Sequence, residues 1–202
     1  MKIIKHLTLV ILSFVCIMTI VGCGGGSNSK PDPPTPTSEI KVIADKTSFV
    51  YNDKTTLMRV FSTNNSNFHA VFDFSTRTKT ATPTEPAYIQ NAKTGELGFA
   101  NLEETSTGSG IYNIKNTWVA FPASFTIGYY KTYSDVTYNG IDFDSLSVSI
   151  TGTKNFTVSG HTILTYKTEY NWTLGDNTIT QITYFAPSLG WYVVDREGST
   201  LK

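Results

Sequence analysis

The sequence predicts an all-β domain: an antiparallel meander curved into a half-barrel or open barrel, with no helix beyond the apolar N-terminal segment. Three observations predict it. The 202 residues include 31 threonines against 9 alanines and 11 leucines, and aromatics reach 13%. That is an excess of β-branched and aromatic side chains over helix formers. From Ile40 onward no long stretch holds a helical period, whereas period-two alternation recurs. Between the alternating runs lie short clusters of Asn, Asp, Gly and Ser that read as turns.

Residues 1–6 make a short basic start and residues 7–21 are nearly continuous hydrocarbon. The run is shorter than the ~20 residues of a spanning helix and fits the apolar region of a secretory signal. It ends in Ile20-Val21-Gly22-Cys23, which resembles the lipobox of bacterial lipoproteins. The resemblance implies a signal peptide over residues 1–22, cleavage before Cys23, and acyl chains on the Cys23 thiol. Two or more chains make such an anchorage lasting. Gly24, where an inner-membrane retention signal would place aspartate, implies the outer membrane as the address. An uncleaved anchor with Cys23 as a plain thiol is the alternative. Cys16 leaves with the signal, so the body forms no disulfide and is held by its core.

Residues 23–39 continue as a tether. After Cys23 it begins Gly-Gly-Gly-Ser-Asn-Ser and carries four of the eight prolines, flexible first and then stiffening toward polyproline II. Its reach is roughly 40 Å at ~3.1 Å per residue.

Residues 40–202 form one all-β domain of ten or more strands. Phe68, Ala70, Phe72 and Phe74 share one strand face, and Leu146, Val148 and Ile150 share another. Leu164, Tyr166, Tyr170 and Trp172 share a third, opposite Lys167, Glu169 and Asn171. Turns are expected at Asn52-Asp53, Asn64-Asn65, Thr94-Gly95, Asn139-Gly140, Ser159-Gly160 and Gly175-Asp176. Gly152 and Gly160 are candidate bulge or bend points. Residues 75–86, rich in Thr and Pro, suit a long exposed loop, and residues 103–110 a second.

The C-terminal half carries a further resemblance. Pro122 followed by Phe125-Thr126-Ile127-Gly128, the run Phe156-Thr157-Val158-Ser159-Gly160-His161-Thr162, and Thr183-Tyr184-Phe185-Ala186-Pro187-Ser188-Leu189-Gly190-Trp191-Tyr192-Val193 occur in that order. Together they are similar to a group of bacterial envelope proteins with a curved antiparallel sheet related to the half-barrels of lipoprotein carriers. Ser188 and His161 depart from that pattern. The resemblance implies a fold more than an activity.

Chemistry is sparse. Sixteen Lys and Arg against sixteen Asp and Glu leave no basic stripe for nucleic acid. In the body His69 and His161 stand far apart and no thiol is free, so no metal site and no cofactor are expected. His69 alternates away from Phe68 and Ala70, toward solvent. No Gly-x-Ser-x-Gly elbow is present, and no catalytic constellation emerges. Asp142 and Asp144 would project to one side of an extended strand, as an acid pair, an ion site or a solvated turn. Trp118, Trp172 and Trp191, with Tyr129, Tyr130, Tyr133, Tyr166, Tyr170, Tyr184 and Tyr192, either fill the core or line a groove for lipid or sugar. Asn171-Trp172-Thr173 after Glu169 fits an acidic N-glycosylation pattern but falls within a strand.

The resulting expectation is a lipid-anchored, non-enzymatic envelope protein that binds a lipid-like ligand or an envelope protein. The alternatives are a hydrolase using Asp142 and Asp144, or a purely structural envelope component.

Overall fold

Alternating apolar and hydroxylated residues become strands almost throughout the described chain. A computed structural model describes residues 40–75, 87–118, 125–138 and 140–202, the side chains of Ser75, Ala87 and Trp118 excepted. All of these belong to one unit, Thr35–Lys202. The lipobox, the tether, Pro122 and nearly all of the Thr-Pro loop lie outside the described residues.

The described residues hold eleven strands and no helix. They are β1 (Ser48–Val50), β2 (Thr55–Thr63), β3 (Phe68–Ser75), β4 (Ala87–Asn91), β5 (Leu97–Glu104), β6 (Ile111–Trp118), β7 (Tyr130–Tyr138), β8 (Ile141–Val158), β9 (His161–Leu174), β10 (Asn177–Ala186) and β11 (Trp191–Val194). The first six run as an antiparallel meander in sequence order, and β7 to β11 form a second. The first sheet also curls back on itself. A short parallel contact, Ser62 beside Ile111 and Thr63 beside Tyr112, joins β2 to β6. The outcome is an open, partly curled barrel packed on a five-stranded sheet.

Two cores follow from this curl. Phe61, Ala70, Phe72, Ile89, Ala100, Leu102 and Tyr112, drawn from β2 to β6, pack together within it. Phe61, Phe72 and Tyr112 meet at centroid separations of 5.0–5.6 Å. The opposite sides of the same strands contribute Met58, Val71, Tyr88, Leu97 and Phe99 to a larger core shared with the second sheet. The Phe68, Ala70, Phe72, Phe74 face is therefore real, but β3 also buries Val71 on its other side.

The long β8–β9 ribbon turns through Ser159 and Gly160, both at positive φ, 48° and 81°. This two-residue geometry matches the right-handed twist of the strands it joins. Near Gly152 the register shifts against β9, the bulge expected of a glycine in an extended run.

Candidate functional site

The inner face of the second sheet is lined by paired rows: Leu146 beside Trp172, Val148 beside Tyr170, and Ile150 beside Thr168. The carrier resemblance would make this face a lipid groove. Instead, side chains of the first sheet and of the β6–β7 connection fill it. Phe125 inserts between Tyr166 and Phe185, at centroid separations of 5.0 and 5.1 Å. Phe99 meets Tyr170 edge-on at 6.1 Å, and Tyr88 meets Trp191 at 4.7 Å. Such pairs add roughly 0.5–1.5 kcal/mol each beyond area burial. Tyr166, Tyr170, Trp172, Trp191 and Tyr192 are all buried. Of the aromatics nominated from sequence, Tyr129, Tyr133 and Tyr184 are half-buried and Tyr130 is exposed. The core is not perfectly satisfied. The Tyr166 and Thr168 hydroxyls are buried without a hydrogen-bond partner among the described residues, at about 1–3 kcal/mol apiece.

A small charged cleft of about 60 Å³ opens where the β1–β2 turn meets the C-terminal segment after β11. Ordinary small-molecule pockets run to roughly 300 Å³ and more. The Lys54 ammonium sits between Asp195 at 2.8 Å and Glu197 at 2.6 Å, its side chain only 8% exposed. Burial pulls its pKa down, but the bonds to the two carboxylates outweigh that and leave it raised. The Arg196 guanidinium bonds the Tyr138 hydroxyl and, at 2.8 Å, the Tyr88 hydroxyl. It lies 5.2–5.6 Å from the ring centroids of Tyr88, Phe99 and Tyr138. This cation–π cage pins the C-terminal turn to both sheets.

Asp73 is the remaining charge in the cleft. Solvent reaches it through the mouth, but protein surrounds it on the other sides. That desolvation raises its pKa, with Arg196 and Lys54 pulling the other way. Sequence reasoning missed this group, although two signals were available. Asp195-Arg196-Glu197 is the one run of three consecutive charged residues in the chain. Asp73 is the one acid of β3, set between Phe72 and Phe74.

Asp142 and Asp144 do project to one side of β8, flanking buried Phe143, and both are exposed. Neither lines the charged cleft. Asp142 accepts a hydrogen bond from the Thr137 hydroxyl at 2.7 Å, and Asp144 accepts from the Gly175 amide at 2.7 Å, capping the β9–β10 turn. Among the described residues no three metal-ligating side chains converge. His161 is exposed beside its turn. His69 does not point freely into solvent as alternation suggested. It is half-buried, 3.3 Å from Gln90 Oε1, and burial lowers its pKa. Asn171 lies within β9, its Oδ1 accepting from the Thr180 hydroxyl at 2.6 Å.

No family model, no curated protein and no solved structure matches the chain.

Proposed function

We propose that this chain is a lipid-anchored protein of the bacterial cell envelope and a non-enzymatic interaction module that meets its partner on its outer surface. The filled interior carries this reading. In the sequence, shelter for an acyl chain and a protein partner stood side by side. An acyl chain needs a continuous apolar cavity, and here Phe99, Phe125 and the rings around them take that space. In this reading Cys23 bears the acyl groups, residues 24–39 space the domain from the outer membrane, and the exposed surface is left for recognition. The acid pair offers a hydrolase little support, because Asp142 and Asp144 are each engaged locally on an open strand face.

Photo-crosslinking in the native envelope tests it. With p-benzoylphenylalanine at the exposed positions Thr132 and Thr178, a discrete adduct is expected from at least one. The reading fails if neither yields an adduct and the purified protein carries stoichiometric lipid.

A further inference from the structure

Part of the outward face of the second sheet is a hydroxyl array edged by one exposed aromatic ring. Register across β7, β8, β9 and β10 sets three rows of four. One is Tyr130–Ser149–Glu169–Ile182, and the other two consist of Ser, Thr and Asn171 alone. Nine of these twelve side chains carry a hydroxyl and one is charged. That one, Glu169, is neutralised by Lys167 at 2.6 Å. Solvent-facing surfaces ordinarily hold about 25–35% charged residues, so these three rows are both short-chained and without net charge.

Tyr130 is the exception in size. It is 67% exposed, and its hydroxyl accepts a bond from Thr132 two residues along the same strand, at 3.1 Å. Ser147, directly opposite Thr132, lies within reach of the same oxygen. A tyrosine bonded to residue i+2 leans along its strand instead of standing away from it. The ring is therefore held down and offers one open π face at the edge of the array.

The chemistry favours one occupant. Protein interfaces concentrate their binding in Trp, Tyr and Arg anchors around an apolar centre, and Ser and Thr are under-represented there. Rows without net charge give a polyanion nothing to hold. A neutral sugar chain presents C–H faces that stack on an aromatic ring, and hydroxyls that both donate to and accept from Ser, Thr and Asn. We propose that this face binds a neutral glycan, one sugar ring stacked on Tyr130 and the chain running over the Ser, Thr and Asn171 rows. The proposal rests on the reading that the partner is met on the outer surface.

Affinity electrophoresis of the full chain tests it, in native gels containing a soluble β-glucan, a mannan or, as the charged arm, polygalacturonate. Retardation by at least one neutral polymer is expected. Loss of the stacking ring in Tyr130→Ala should weaken it about tenfold, whereas Tyr130→Phe, which keeps the ring, should retain most of the binding. The position is exposed, so circular dichroism should show both variants folded. No retardation by either neutral polymer, retardation by the polyanion alone, or retardation indifferent to Tyr130→Ala would each overturn the proposal. An envelope protein cross-linked at Thr132 without any glycan binding would sink the glycan and leave the surface-partner reading intact.

Discussion

Every polar atom of the Gln90 side chain is in use although the residue is fully buried. Its Oε1 accepts from the Ile43 amide at 2.8 Å and faces His69, and its Nε2 donates to the carbonyls of Lys41 at 3.1 Å and Gly95 at 3.0 Å. One side chain thus joins the segment entering the domain, the β4–β5 turn and β3. Gln90→Leu would leave the buried Ile43 amide and Gly95 carbonyl unpaired, at about 1–3 kcal/mol each, and would strip the part-buried Lys41 carbonyl of its donor. The expected loss is about 4 kcal/mol in urea unfolding, and a loss under about 1 kcal/mol would show that the groups find other partners. Asp73 should behave in the opposite sense. Its folded-state pKa is raised by desolvation, so its contribution is most favourable at low pH and is lost as pH rises through that pKa. At neutral pH Asp73→Asn should therefore raise the thermal midpoint, by about 1–3 °C given solvent screening at the cleft mouth. The gain should vanish below the ordinary carboxylate range. A midpoint lowered at neutral pH would mean that Arg196 and Lys54 stabilise the carboxylate more than burial penalises it.

Among the elements, the β8–β9 ribbon was the most legible in the sequence, because both its signals are local. Leu146, Val148 and Ile150 alternate toward the core, and Ser159-Gly160 supplies the positive-φ turn. Gly160→Val would force a β-branched residue to a φ of 81°. It should cost about 1–3 kcal/mol and leave the sheet otherwise intact. An unchanged midpoint would mean that the hairpin can adopt another turn. The curl of the first sheet was not legible, since the contact of Ser62 with Ile111 joins strands distant in sequence and no local pattern encodes it. For the same reason Gly95 read only as a turn residue, and Gly190 only as part of the C-terminal run that carries the resemblance. Both also admit the entering segment so closely that an added Cβ would lie 2.0 Å from the carbonyl oxygen of Ile40 or Lys41. The cleft escaped notice because Lys54, Asp73 and Arg196 arrive from the β1–β2 turn, β3 and the C-terminal turn, and only the tertiary fold unites them.

At the scale of the whole molecule, the partly curled barrel and the five-stranded sheet share a core dense in aromatic rings, with no disulfide available to the body. Stability then rests on burial, which a chain of this length can supply. The same density leaves recognition to the outside, and that is the central claim. The direct measurement is photolabelling of the purified full chain with a long-chain fatty acid carrying a diazirine at its tail, followed by peptide mapping. The account predicts no saturable labelling of the inner-face segments Leu146 to Ile150 and Tyr166 to Trp172. Saturable, one-to-one labelling of those segments, suppressed by unlabelled fatty acid, would show that the core opens to an acyl chain and would contradict it.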